Sequence, residues 1–194
     1  LRNEIEIIQA LAGGNEQALA VLYNLYSEKI YNTALSYTKS TEDAEEITQD
    51  VFVKVYKNAS KFKGESSLNT WIYRITVNTS LNYLKKKNRF IFFKNSLSKS
   101  KNIDFEHPGV LLENKERAAA LYKAIDCLSD NQKTAFILSF IEELPRREVA
   151  DIMEVSLKAV ESLLQRAKKN MRVELQKIYL HRRNSQKQLS KEWR

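Results

Sequence analysis

Residues 147–164 read REVADIMEVSLKAVESLL. Val149, Ala150 and Ile152 share one side of a short helix that Pro145 is placed to open. Glu154-Val155-Ser156 interrupts the period. Leu157, Val160, Leu164, Ala167 and Met171 then recur along one arc of a longer helix. Helix, three-residue break, helix is the spacing of a DNA-binding helix-turn-helix. In that reading Ala150 is small where the helices cross and Val155 fills the turn. The opposite arc carries Lys158, Glu161, Ser162, Gln165 and Lys169, with Arg166 toward its flank. Long polar side chains and a hydroxyl on an exposed helix suit a major groove. Arg166, Lys168 and Lys169 are placed to hold phosphates. An ordinary helical hairpin with a solvated face fits the same pattern. Glu161 faces where DNA would lie, so it either accepts from a cytosine amino group or weakens binding.

The composition around this motif favours helices. The chain has 194 residues, 43% of them apolar, with only four Gly and two Pro. A packed core is therefore within reach, and few breakers interrupt it. Cys127 is the one cysteine, which rules out an internal disulfide and fits a reducing cytosol. No apolar run approaches the length of a membrane span. The opening LRNEIEIIQ alternates acids with Ile and lacks the plan of a signal peptide.

The net charge is +8, and it is localised. No acid occurs between Glu65 and Asp104, while Arg74, Lys85, Lys86, Lys87, Arg89, Lys94, Lys99 and Lys101 supply the whole excess. That is the footprint of a polyanion partner, or of a solvated basic face. Glu42–Asp50, EDAEEITQD, is the opposite block, with five acids and no cation. Separate acidic and basic faces point to two different partners.

Helical spacing runs through Glu4–Leu11, through residues 15–38 after the Gly13-Gly14 break, and from Thr41 along Ile47, Val51, Phe52, Val55 and Tyr56. KFKGESS (61–67) reads as a loop. Trp71 to about Lys87 forms the next helix, on which Arg74, Asn78, Asn82, Lys85 and Arg89 make a narrow polar stripe. Trp71, Ile72 and Ile75 flank the stripe on one side, and Val77, Leu81 and Leu84 on the other. Residues 91–114 read as a linker with an apolar cluster, Phe90–Phe93, at its start. A second helical unit begins near Asn114, with Leu121, Ile125 and Leu128 in register and Ser129 as an N-cap. The last residues, 181–194, read as a basic tail that frays.

Three of these segments, taken in order, resemble the sigma-70 family of bacterial RNA polymerase sigma factors, in particular its extracytoplasmic-function (ECF) group. DAEEITQDVFVKVYKN is similar to the family's polymerase-binding segment, and FKGESSLNTWIYRITVNTSLNYLKKKNR to its region 2 promoter-contacting segment. LSDNQKTAFILSFIEELPRREVADIMEVSLKAVESLLQRAKKNM is similar to region 4. The resemblance implies an all-α protein of two small helical domains joined by a flexible linker. Residues 1–90 would be region 2, 91–114 the linker, 115–180 region 4 and 181–194 the basic tail. It further implies that Asp43, Glu46, Gln49 and Asp50 grip the clamp helices of the largest subunit of core RNA polymerase. Gly64, Ser66, Ser67, Asn69, Arg74, Asn78, Asn82, Lys85, Lys86 and Arg89 would contact an opened −10 element. Ser156, Lys158, Glu161, Ser162, Gln165, Arg166 and Lys169 would contact the −35 element. Trp71 either stacks on a base or packs in the core. Many relatives carry a basic residue at the position of Glu161, an Arg at Leu163 and a Gly at Glu154, so the −35 preference of this chain is open.

Partners implied are core polymerase, promoter DNA and an anti-sigma factor, with the chain monomeric in the holoenzyme and cytoplasmic. No cofactor, metal or small-molecule substrate is expected. His107 and His181 lie apart, Cys127 falls on an apolar stripe, and no glycine-rich phosphate loop or metal-ligand cluster occurs, which argues against an enzyme. A stand-alone helix-turn-helix regulator is the rival reading. It would need a dimer interface or effector pocket, and residues 1–90 offer neither clearly.

Overall fold

The computed structural model describes the backbone of residues 2–95 and 112–192 and the side chains of residues 4–90 and 118–180. Among these residues there are eight α-helices and no strand. They gather into two compact units, the first around α1 to α4 and the second around α5, α6 and α8.

In the first unit α1 spans Arg2–Ala12, α2 Glu16–Thr38, α3 Thr41–Asn58 and α4 Leu68–Asn95. The breaks between them have local causes. Gly14 turns the chain at φ +85°, and the Asn15 side chain then accepts the Gln17 N–H to cap α2. Lys39 adopts the left-handed conformation and returns its N–H to Leu35 O, which closes α2. Ser40 caps α3 by accepting the Asp43 N–H at 3.2 Å. Ile8 and Leu11 of α1, Leu22, Ile30 and Ala34 of α2, Ala44, Ile47, Val51 and Val55 of α3, and Leu68 and Ile72 of α4 form one core. Trp71 is half-buried at its edge, ring against Phe62 at 5.2 Å.

In the second unit α5 spans Leu112–Asp126 and α6 Asp130–Phe136. The chain then widens into a π-helical turn at Ile137–Ile141. Glu142 N–H reaches back to Ile137 O, and Glu143 takes φ +54°. The chain continues into α7, Arg146–Met153, of which residues 147–153 group with the first unit, and returns to the second unit with α8, Leu157–Glu192. Ala124, Ile125, Leu128, Ala167 and Met171 form the unit's core, with Tyr122, Phe136, Ile141 and Leu175 packed at its margin.

Several expectations change at the boundaries. With no Gly or Pro between Gly64 and Asn95, α4 starts at Leu68 and continues past Lys87, so Phe90 sits on a helix and not in a linker. The residue is 67% exposed. The side chains of Ile91, Phe92 and Phe93, the 96–111 segment and the side chain of His181 lie outside the described residues. The tail after Tyr179 is likewise helical as far as Glu192. Ser129 occupies the N-cap position of α6, but its hydroxyl makes no cap bond. Cys127 is exposed, because Ala124, Ile125 and Leu128 take the inward face of their turn, and Leu121 is also partly exposed.

Ile47 is fully buried at the centre of the first unit. Ile47→Ala should cost about 2–5 kcal/mol of unfolding free energy, measured by urea denaturation. A cost below about 1 kcal/mol would mean that α3 is not packed as described.

Candidate functional site

The acidic block lies on α3, and the helix sorts it by face. Ile47 and Val51 are fully buried. Phe52 is also buried, and its ring meets that of Tyr23 at 4.9 Å. Glu42, Glu45, Glu46, Gln49 and Asp50 are exposed. Asp43 turns inward and is only 9% exposed. Its carboxylate accepts from the Tyr83 hydroxyl at 2.8 Å and pairs with the Lys87 ammonium. Glu46 also accepts from the Tyr83 hydroxyl, at 3.0 Å. Glu42, in the first turn, has its carboxyl held below the usual range by a backbone N–H and by the hydroxyls of Ser40 and Thr41. Glu42 and Asp43, in the first turn, also sit favourably at the positive end of the α3 dipole.

The cationic stripe lies on α4. Asn78, Asn82, Lys85, Lys86 and Arg89 are exposed, and Asn69 and Arg74 are half-buried. Ile72 and Val77 are buried to either side, so the stripe rides on a helix fixed in the core. Gly64 takes φ +73°, a conformation that glycine adopts without strain, in the loop leading into α4. Ser66 is half-buried beside it. Ser67 has a structural duty. Its hydroxyl accepts the Thr70 N–H at 3.0 Å and lies 2.9 Å from the Thr70 hydroxyl, which caps α4. The spacing Ser-x-x-Thr ahead of an apolar run was a readable signal for that cap.

Between α3 and α4 runs an open groove of about 370 Å³, where carboxylates of one helix meet cations of the other. Glu46 and Asp50 line one wall, and Asn82, Lys86 and Lys87 the other. Lys54 reaches across to donate to the Thr79 hydroxyl at 2.9 Å. Tyr83, Lys87 and Lys54 are the residues here that sequence periodicity did not single out. Pairing across two helices separated in sequence leaves no local signature.

In α7, Val149, Ala150 and Ile152 are buried. The turn that follows is left-handed at Glu154, φ +55°, where a glycine would sit without strain. Val155 and Leu157 are 38% and 46% exposed, so neither fills the turn nor joins the core. Val160, Leu164, Ala167 and Met171 do line the buried arc of α8. Ser156 caps α8, its hydroxyl accepting the Ala159 N–H at 3.2 Å. Lys158, Glu161, Gln165, Arg166 and Lys169 are exposed along the opposite arc, and Ser162 is half-buried with its hydroxyl on Lys158 O. Glu161 lies 4.0 Å from the Arg146 guanidinium, which offsets part of its charge. Lys168 is turned onto the Phe140 ring, 4.7 Å from its centroid, and so is not in line with the other cations.

Comparison with known proteins places both halves of the chain in one family. The Sigma-70 region 2 family model matches residues 22–90, and the Sigma-70 region 4 model matches residues 118–171. The chain is 31% identical over 157 residues to the RNA polymerase sigma factor YlaC of Bacillus subtilis, covering 77% of this chain and 90% of the relative. It is 27% identical over 170 residues to the ECF RNA polymerase sigma-E factor of Escherichia coli K12, covering 84% and 88%. In fold it matches CnrH, solved in complex with the cytosolic domain of CnrY, at a TM-score of 0.64 and 18% identity over 89% of this chain and 97% of that one. It also matches the Bartonella quintana sigma factor RpoE, solved with the anti-sigma factor NepR, at 0.63 and 20% over 81% and 96%. The chain belongs to the sigma-70 family of RNA polymerase sigma factors. Within that family it is an ECF-group sigma factor, a transcription initiation factor.

Two outcomes follow from the geometry. Tyr26 is pushed up to about 12, first by burial and then by Glu4. Tyr83 is raised by burial and then by its bonds to Asp43 and Glu46, and Tyr122 by burial. A phenol raised in the folded state adds stability that is complete below its unfolded value near 10 and is lost as pH climbs toward the folded value. Urea unfolding should therefore show stability falling above about pH 10, and Tyr83→Phe should flatten part of that fall. A stability unchanged at high pH would contradict it. On α8, Glu161→Gln should raise affinity for duplex DNA by roughly two- to fivefold in low-salt anisotropy titrations, because one repulsion is removed. A loss confined to sites with cytosine at one position would mark Glu161 as a base reader instead.

Proposed function

We propose that this sigma factor divides promoter recognition among three surfaces. The exposed α3 face, with Glu46, Gln49 and Asp50 and the neighbouring Glu42 and Glu45, docks on the clamp helices of core RNA polymerase. Carboxylates and an amide on one helix face suit an Arg-rich partner. The α4 stripe and the loop before it receive the opened −10 strand. Asn78 and Asn82 offer donor and acceptor to base edges, and Lys85, Lys86 and Arg89 follow the backbone. The exposed arc of α8 reads the −35 element. Residues 1–90 thus act as region 2 and 115–180 as region 4. Ser66, Asn69 and Arg74 complete the −10 surface, and Gly64 shapes the loop that accepts a flipped base.

The observation that carries this reading is the sorting of charge within one core: exposed carboxylates on α3 and exposed cations and amides on α4. Each DNA surface binds weakly alone. Mounting both on one polymerase raises their effective concentration and gives the holoenzyme its specificity. The chain works as a specificity factor without chemistry of its own, one copy per holoenzyme, in the cytoplasm where core polymerase and promoter DNA meet. An anti-sigma factor holds it inactive, as the complexes of its structural neighbours suggest.

Affinity for core polymerase tests the division. Glu46→Lys with Asp50→Lys should weaken core binding by about tenfold or more in a fluorescence titration, through like-charge repulsion. Asn78→Ala should leave core binding intact and reduce promoter opening. If Asn78→Ala weakened core binding and the charge reversal did not, the two surfaces would be assigned the wrong way round.

A further inference from the structure

Asp43 belongs to the acidic block by sequence but not by placement. Its carboxylate is almost out of solvent, in the first turn of α3, and both of its side-chain partners come from the end of α4 that carries the exposed cations. The Tyr83 hydroxyl bridges it to Glu46, which stands on the exposed face of the same helix. Lys87 lies in the run Lys85-Lys86-Lys87, yet its ammonium is committed to Asp43. The neighbours Lys86 and Arg89 stay at the surface. A carboxylate with so little access cannot meet a polymerase side chain without first giving up these bonds, and a buried carboxylate stripped of partners is costly.

We infer that Asp43, Tyr83 and Lys87 are positioning residues that lock the basic half of α4 to α3, and that Asp43 and Lys87 act in strand capture through this lock and not by touching polymerase or phosphate. The inference rests on the assignment of α4 to the −10 strand. The body of α4 is fixed by Ile72 and Val77 in the core, but beyond Ser80 no residue of α4 is fully buried up to Phe90. That stretch is held at the core's margin by the Tyr83 ring and beyond it by polar contacts. Without them Lys85, Lys86 and Arg89 lose their fixed distance from Asn78. An opened strand would then have to order the helix end as it binds.

The test uses the full-length protein reconstituted with core polymerase on a promoter fragment that the wild-type holoenzyme transcribes. Core affinity, permanganate-detected opening and its salt dependence are measured for Asp43→Asn, Lys87→Met, the double variant and Tyr83→Phe. Each single change should lower opening by roughly three- to tenfold while core affinity stays within about twofold. The double variant should be no worse than the more severe single, and the salt slope should match wild type, because the two groups serve one contact. The exchanged pair, Asp43→Lys with Lys87→Asp, should recover opening relative to Asp43→Lys alone.

Multiplying defects, with a salt slope smaller by about one in Lys87→Met, would make Lys87 a phosphate contact and overturn the inference. So would a tenfold loss of core affinity in Asp43→Asn, as expected of a polymerase contact. Tyr83→Phe keeps the ring and removes only the hydroxyl, so it reads out the lock even if the charge variants fail to fold, and unchanged opening in that variant would also overturn it. A wild-type protein that opens no promoter would instead defeat the underlying assignment, and the inference with it.

Discussion

Ile47, Val51 and Val55 of α3 and Leu68 and Ile72 of α4 exclude water from the same core, and this shared core fixes the spacing of everything outside it. Each buried aliphatic side chain contributes about 1.5–3 kcal/mol, far more than any exposed ion pair. The charged surfaces can therefore be tuned for partners without being needed to hold the fold. The acidic face of α3 and the cationic stripe of α4 stand on two sides of one rigid junction. At its rim Asp43, Tyr83 and Lys87 close the seam between them. A polar contact placed there sets geometry more than stability.

The same economy of roles holds in the second unit. Its small core of Ala124, Ile125, Leu128, Ala167 and Met171 supports a long α8 whose first turns carry the exposed polar arc. Phe140, in the π-helical turn after α6, lies under the Lys168 ammonium. One cation is thereby withdrawn from the set available to phosphates. Glu161, paired with Arg146, softens a second position.

Much of this was legible in the sequence because it depends on period and local chemistry. The 3.6-residue spacing of Val160, Leu164, Ala167 and Met171 marked the buried arc of α8, and the acid-free stretch after Glu65 marked the cationic face. The all-α architecture followed from those patterns, and the family from the resemblance of three segments in order. What could not be read depends on contacts distant in sequence or on competing local roles. Asp43 looked like its acidic neighbours until Tyr83 and Lys87, forty residues on, were brought beside it. Ser67 and Ser156 were read as DNA contacts, and their hydroxyls also serve as helix caps. Cys127, Leu157 and Val155 sat near apolar positions by spacing, but Cys127 and Val155 lie in turns between helices and Leu157 opens α8, and all three are exposed. The long reach of α4 and α8 followed from an absence of breakers, a weaker signal than any motif.

The central claim is that this chain converts core polymerase into a promoter-selective enzyme. The most direct measurement is multiple-round transcription in vitro from fragments of its own genome, with transcript 5′ ends mapped in the presence and absence of the protein. The account predicts discrete new start sites that require the protein and share two upstream sequence elements at a constant spacing. If core polymerase alone produced the same ends, or if no fragment gave a protein-dependent start, the account would be contradicted.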